Sequence, residues 1–130
     1  QAEQASCDVE IRLNGGYGAF PGGTFEHVRF CLDCDQNGTW DFQTLGFVHV
    51  TNSILGAVGT PPWFHEAHAT TFAAPVACTT NNGGQMRMRT ILSWAALPPV
   101  CVNGSSLVAA PFQPMPVFGN AFDETVRRDP

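Results

Sequence analysis

Alternation of apolar and polar side chains at every second position is the feature that most limits how this chain can fold. It runs clearly from Cys7 to Leu13, from Phe25 to Cys34 and from Gln85 to Trp94. Successive side chains of a β-strand point to opposite faces, so the pattern predicts strands with one buried face. No stretch shows a helical period of comparable length. Further strands are predicted at the segments Trp40 to Val50, Phe64 to Val76 and Phe122 to Arg128.

The same alternation predicts which side chains enter the core. In the second of these strands, Val28, Phe30 and Leu32 share the face that we expect to be buried. In the strand from Gln85 to Trp94, the two arginines lie on one face, and the methionines lie with Trp94 on the other. The apolar face of this strand is therefore expected in the core of one sheet.

Runs rich in glycine, proline and asparagine separate the predicted strands, as in Asn14–Gly18 and Asn81–Gly84. The pair Asn37-Gly38 lies between two strands and predicts a type I′ hairpin turn, because both residues tolerate a positive φ. Short strands with frequent turns are typical of two packed sheets. We expect an all-β, immunoglobulin-like β-sandwich of about seven short antiparallel strands. Residues 1–130 would form this single domain, with residues 1–6 as a flexible N-terminus.

The number of cysteines indicates an oxidising compartment. Five in a chain of 130 residues is high for a cytosolic protein, and small secreted domains commonly use disulfides. We expect at least two disulfides and one remaining thiol, with the pairing left open. The Cys31-x-x-Cys34 motif ends a strand rather than beginning a helix, which argues against a thioredoxin-like site. The candidates for disulfide bonding are Cys7, Cys31, Cys34, Cys78 and Cys101.

Charge is scarce and its balance is acidic. Charged residues make up 13% of the chain, the formal net charge is −5, and all 6 cationic residues are arginines. Binding to nucleic acid needs clustered cations, so that role is excluded, and binding to an anionic membrane surface is disfavoured. No apolar run approaches the length of about 18 residues expected of a membrane-spanning helix. Insertion into a membrane is therefore not expected.

An acidic loop follows the strand that ends at Cys34. Its sequence from Asp33 to Asp41 fits the pattern D-x-D-x-N-G-x-x-D. Calcium prefers six to eight hard oxygen ligands, and acidic or amide residues at alternate positions of a loop can direct such oxygens to one point. The predicted ligands are Asp33, Asp35, Asn37 and Asp41, although Thr44 replaces the glutamate that ends an EF-hand loop. The alternative is an exposed hairpin turn without an ion.

Several segments together resemble a group of uncharacterised bacterial secreted proteins. The matching stretches, in order over roughly residues 7 to 130, are Glu26–Asp35, Trp40–Gly46, the R-x-R-x-I-L-S-W run Arg87–Trp94, Pro98-Pro99, Pro116–Asn120 and Asp123–Val126. The resemblance implies a secreted β-sandwich and transfers no catalytic residues. The chain departs from that group at Cys31 and Cys34, which replace aromatic residues, and at Phe118, which replaces a tryptophan of P-V-W-G-N.

Two functions fit these observations. The first is an extracellular or cell-surface structural or interaction module, such as a subunit of a surface assembly or filament that self-associates or binds another extracellular protein through strand edges. The second is a carbohydrate-binding module, with or without calcium, in which Tyr17, Trp40 and Trp63 stack on a glycan. An enzyme is not expected, because no activated nucleophile or paired catalytic acid can be assembled from the sequence.

The calcium prediction can be tested by thermal unfolding. An ion that binds only the folded chain raises the melting temperature, so millimolar calcium should raise it and a chelator should reverse the effect. An unchanged melting temperature in both conditions would contradict the calcium prediction.

Overall fold

The structure is a computed structural model of the chain, and it describes residues 4–5, 8–12, 24–50, 64–68, 72–73 and 84–127. These residues form eight β-strands and no helix. None of the described segments is a helix that could cross a membrane. The strands are β1 (Gln4–Ala5), β2 (Asp8–Arg12), β3 (Thr24–Asp33), β4 (Phe42–Val50), β5 (Phe64–His68), β6 (Phe72–Ala73), β7 (Gln85–Trp94) and β8 (Gly119–Arg127).

The strands form one four-stranded sheet and two short strand pairs. The four-stranded sheet has the order β4-β3-β7-β8, and every neighbouring pair in it is antiparallel. The strand β1 pairs with β6, and β2 pairs with β5, both antiparallel. The predicted all-β class is therefore confirmed. The segment predicted as one strand from Phe64 to Val76 contains two strands that belong to different pairs.

Alternation predicted the two central strands well. The strand β7 has the predicted bounds, and β3 differs from its prediction by one residue at each end. Val28, Phe30 and Leu32 share one face and are buried, as expected. We call this side of the four-stranded sheet the apolar face; it also carries the buried Met88 and Thr90. Burial of this face is the usual hydrophobic contribution to stability.

The opposite side of the sheet carries arginines, and we call it the arginine face. Its central row crosses all four strands through Gln43, Cys31, Arg89 and Asp123, which are directly opposed from strand to strand. An irregular segment, residues 95–118, lies over this row, and we call it the covering segment. Its buried residues are Pro98, Cys101, Ser105 and Gln113. Both faces of the sheet are therefore buried at its centre.

Two local predictions are corrected. The chain between β3 and β4 does not form a type I′ turn at Asn37-Gly38, because the residues with positive φ are Gln36 and Gly38. Two positive φ values separated by one residue build a wider loop, which carries its own hydrogen bonds. Trp94 is only half-buried at the end of β7, and its ring meets that of Phe118 edge-on, with 5.8 Å between the centroids. It is therefore a boundary side chain rather than a core one.

The start of β8 depends on a glycine. Gly119 has a φ of 150°, and a Cβ at this position would lie 1.9 Å from the backbone oxygen of Leu92. We expect Gly119→Ala to cost about 2–4 kcal/mol, because overpacking against backbone adds to the strain of an unfavourable φ. Gly104→Ala is the matched control. Gly104 also has a positive φ, 71°, but its Cβ would meet nothing within 4 Å.

Denaturant unfolding of the two variants measures this difference. The control should cost only about 1–2 kcal/mol, the strain of a left-handed conformation. Equal destabilisation by the two substitutions would show that the close approach to Leu92 is unimportant.

Candidate functional site

The acidic loop between β3 and β4 is closed by its own carboxylates. Asp33 is fully buried, and its Oδ1 and Oδ2 accept hydrogen bonds from the backbone N–H groups of Asn37 and Gly38, at 3.0 and 2.8 Å. Asp41 Oδ2 accepts from the backbone N–H of Cys34 at 2.8 Å. Asp35 accepts from both the backbone and the side-chain nitrogen of Asn37. Such local bonds are what Asp and Asn provide in turns.

Three of the four predicted calcium ligands converge. One carboxylate oxygen from each of Asp33, Asp35 and Asp41 lies within 4.8 Å of the other two. The fourth, Asn37, directs its Oδ1 to the backbone N–H of Thr39 at 2.7 Å. The internal hydrogen bonds account for the loop conformation without an ion. Calcium binding stays a prediction.

The acidic loop packs against a second Asn-Gly turn in the covering segment. The backbone N–H of Gly104 donates to the carbonyl of Gly38 at 2.8 Å. Asn103 Oδ1 accepts from the backbone N–H of Trp40 at 2.9 Å. The indole Nε1 of Trp40 donates to the carbonyl of Val102 at 3.1 Å. Three hydrogen bonds between residues more than sixty positions apart therefore fix the loop on the covering segment.

Trp40 is a core residue. It is 7% exposed, and its ring lies beneath two guanidinium groups, with the Cζ atoms of Arg87 and Arg89 at 5.1 and 4.7 Å from the ring centroid. These are cation–π distances. A buried ring covered by two cations cannot stack on a glycan, so the predicted role of Trp40 as a platform does not fit its position. The other two candidates, Tyr17 and Trp63, lie outside the described residues.

Arg89 is the centre of the polar network beneath the covering segment. Its side chain is 0% exposed. The Nε and Nη2 atoms donate to Asp123 Oδ1 and Oδ2 at 2.7 and 2.9 Å. The Nη1 atom donates to Ser105 Oγ at 2.8 Å and to Gln113 Oε1 at 3.0 Å, and Nη2 also donates to the Ser105 carbonyl at 3.0 Å. All five N–H donors of the guanidinium are therefore used.

This network is structural. A guanidinium with every donor satisfied offers none to an anionic substrate, and burying it unpaired would be prohibitively costly. Gln113 extends the network, since its Nε2 donates to the carbonyl of Val100 at 2.7 Å and its Oε1 accepts from the backbone N–H of Val102 at 3.0 Å. The covering segment is thus held along most of its length by buried polar groups.

The arginines beside Asp123 change the pKa of its carboxyl group. Partial burial by itself would raise the pKa of Asp123, but hydrogen bonds and charge from Arg89 and Arg87 outweigh it, so the pKa lies below its ordinary value. Elsewhere on the arginine face, desolvation lowers the pKa of Arg29. Its Nε and Nη2 donate to the carbonyl of Pro98 at 3.3 and 3.2 Å. Asp123 thus joins β8 to β7, and Arg29 joins β3 to the covering segment.

A disulfide fastens the covering segment to the middle of the sheet. Cys31 in β3 is bonded to Cys101, so Cys31 and Cys34 do not pair with each other. Gln43, which lies beside Cys31 in β4, binds the backbone of Cys101 with both ends of its side-chain amide. Its Oε1 accepts from the Cys101 N–H at 2.9 Å, and its Nε2 donates to the Cys101 carbonyl at 3.1 Å. Cys34 is also disulfide-bonded. Cys7 and Cys78 lie outside the described residues.

Sequence reasoning missed the buried ion pair. It placed Arg87 and Arg89 on one face, which is correct, but it did not predict that Arg89 is buried. The sequence contains one signal of this pair. Asp123 lies on the polar face of the last predicted strand, as the two arginines lie on the polar face of theirs, and the polar residues Ser105 and Gln113 lie between these strands. Nothing in the sequence alone shows that this irregular segment folds back over the sheet.

A scan against protein-family models finds no family that matches this chain, and searches of curated proteins and of solved structures find no match either. The resemblance to bacterial secreted proteins therefore stays a prediction that depends on the quoted residues.

The Arg89–Asp123 pair predicts a specific acid dependence of stability. A carboxylate whose folded pKa is lowered contributes stability that is present above its unfolded pKa, about 3.9, and lost as pH falls through the lower folded value. Asp123→Asn should cost about 2–3 kcal/mol near pH 7, because it leaves Arg89 buried and unpaired while Asp123 itself is partly exposed. The cost should shrink below about pH 4.

Urea unfolding of wild type and variant between pH 7 and pH 2.5 measures this. Glu124→Gln is the control, since Glu124 is the exposed neighbour of Asp123 in the same strand, and it should change stability by less than about 0.5 kcal/mol at any pH. A cost for Asp123→Asn that is the same at both ends of the pH range would refute the assignment.

Proposed function

We propose that this protein is an extracellular structural or interaction module whose four-stranded sheet binds another protein chain through the edge strand β8. The whole chain would form an immunoglobulin-like sandwich, with the four-stranded sheet as one of its layers. The role is non-catalytic and belongs to a subunit of a surface assembly. The exposed β8 edge is the observation that carries this proposal.

The covalent structure and the charge of the chain support an extracellular compartment. The Cys31–Cys101 bond crosses 70 positions of sequence and closes a buried network, as disulfides do in secreted domains. The low content of charged residues and the absence of lysine fit a surface that is not adapted to nucleic acid or to anionic lipid. These features support secretion to the cell exterior or surface.

The outer long side of β8 is not paired with any strand of the described residues. Among the described residues the strand pairs only with β7, and most of its residues on both faces are exposed. Nine residues in β-conformation present an edge about 30 Å long. Edge strands expose unpaired N–H and C=O groups that can accept a strand from a partner, which is how many sheets recruit peptides or other subunits.

Apolar side chains lie next to this edge. Val117, at the end of the covering segment, is 90% exposed, and Phe122 within β8 is 46% exposed; Phe118, between them, is also exposed. Exposed apolar groups beside an open edge are typical of an interaction surface rather than of a solvated one. We call Val117, Phe118 and β8 together the β8 surface.

The glycan-binding alternative is less well supported. Its test is a glycan array run with and without chelator. Binding that depends on Trp40 would be unexpected, given its burial under Arg87 and Arg89.

The proposal predicts association that depends on β8. Natively purified protein should form complexes at increasing concentration, seen by size-exclusion chromatography with light scattering and by electron microscopy. Phe122→Lys should weaken association at least about tenfold, because lysine on an edge strand disfavours pairing and removes apolar contact. Val108→Lys is the matched control, because Val108 is 89% exposed and lies outside the β8 surface.

The control should associate like wild type. Equal behaviour of the two variants, or a wild-type protein that is monomeric at every concentration and retains no partner on native purification, would refute the proposal.

A further inference from the structure

We propose that the partner of β8 is the β8 strand of a second copy of this chain, paired antiparallel about a two-fold axis at Thr125. This inference rests on the proposed function, and it adds the identity of the partner and the register. Asp123 of each copy then faces the partner's Arg127. The joined sheets would form one continuous eight-stranded sheet in which the two β8 strands lie at the centre.

The order of charges along β8 carries the argument. The strand reads G-N-A-F-D-E-T-V-R, so its acidic residues, Asp123 and Glu124, precede Arg127 with two uncharged residues between them. Arg128 follows in the sequence, so two of the 6 cationic residues of the whole chain are adjacent here. Antiparallel pairing of this strand with itself places its acidic part beside its basic part. Parallel pairing in register would instead place like charges together.

The pleat of the strand selects one register. Directly opposed residues of an antiparallel pair point to the same face, so in a two-fold pair an even-numbered residue opposes an even one and an odd residue an odd one. Centring on Thr125 opposes Asp123 to the partner's Arg127, twice. Centring on Glu124 opposes two carboxylates. Centring on Val126 opposes Arg127 to a threonine, and it pairs Glu124 only with Arg128, which lies outside the described residues. Only the first register pairs opposite charges directly within β8.

Asp123 can accept this additional donor. Its carboxylate receives three hydrogen bonds, two from Arg89 and one from Arg87, and only one of these reaches Oδ1. A carboxylate offers about four acceptor positions, so one remains on Oδ1. The side chain of Asp123 is still partly exposed, and Arg127 is exposed with no ion pair to any described residue. The two groups are therefore available to each other across the edge.

β4, the other edge of the sheet, does not offer the same match. Its sequence F-Q-T-L-G-F-V-H-V contains no acidic residue and no arginine. If β8 paired with β4 of another copy, the two acidic residues and the arginine of β8 would face no opposite charge. Charge complementarity thus favours a closed pair of β8 strands over an open chain of β8-to-β4 contacts. Closed two-fold pairs are also the commonest form of homo-oligomer.

Site-specific crosslinking tests the register. Thr125 lies on the proposed axis, where the two Cα atoms would be about 4.5–5.5 Å apart, within the range that a disulfide spans. Thr125→Cys should therefore form a covalent dimer under mild oxidation of the otherwise native protein. The dimer is detected by non-reducing electrophoresis and intact mass, and it should disappear on reduction.

Two controls define the background. Wild type shows any dimer formed through a native thiol, and Val108→Cys shows random collisions of an exposed thiol outside the β8 surface. Thr125→Cys should give at least about ten times the dimer of either control. Adding Arg127→Glu to Thr125→Cys should reduce the yield about tenfold, because each opposed pair of charges then becomes repulsive. Adding Val108→Glu should leave the yield unchanged.

The outcomes separate the two proposals. If Thr125→Cys crosslinks no more than the controls, the two-fold pairing is wrong, whatever else β8 binds. If association of the wild type is nevertheless weakened by Phe122→Lys, the proposed function stands with a different partner. If Thr125→Cys crosslinks but Arg127→Glu has no effect, the charge pairing that fixes this register is wrong. If neither crosslinking nor Phe122-dependent association is found, both proposals fail.

Discussion

The buried guanidinium of Arg89 is the constraint around which the described structure is organised. An unpaired cation in the protein interior would cost several kcal/mol, so its surroundings must supply a counter-ion and hydrogen-bond acceptors. They come from two separate parts of the chain: Asp123 in β8, and Ser105 with Gln113 in the covering segment. Both parts must be in place before Arg89 can be buried. The network therefore couples the edge strand to the irregular segment that precedes it.

The disulfide and Gln43 reinforce the same row of the sheet. Cys31 is the neighbour of Arg89 in the cross-strand row and Gln43 is the next residue along it, and both hold Cys101. Trp40 also joins the network to the covering segment. Its ring packs against Arg89, and its indole N–H donates a hydrogen bond to the carbonyl of Val102. An irregular segment needs such attachments, since it has no ladder of its own beyond one isolated bridge, Ser106 to Phe112. The covalent, polar and aromatic contacts of the arginine face thus all hold the covering segment on the sheet.

The difference between what the sequence predicts and what the structure contains has a physical origin. Alternation predicts β3 and β7 because both follow a two-residue period and bury an apolar face. It cannot reveal that the opposite face is also buried, because the covering segment is rich in proline and has no period. The stacking role predicted for Trp40 requires an exposed ring, and no sequence pattern shows that Trp40 and Arg89 are buried. The acidic loop was predicted from its residue types, but its hydrogen bonds follow from positive φ values at Gln36 and Gly38.

The position of Asp123 connects the interior of the sheet with its edge. Its carboxylate fixes β8 to the sheet through Arg89, and its side chain is still partly exposed on the same strand. Charges on an edge strand ordinarily prevent indiscriminate pairing, because most incoming strands would leave them unpaired. In β8 the acidic part lies beside the basic part when the strand pairs antiparallel with a second copy of itself. Its charges are then paired, whereas most other strands would leave them unpaired. The residue that anchors the edge would then also select the partner, so folding of the covering segment is a precondition for recognition.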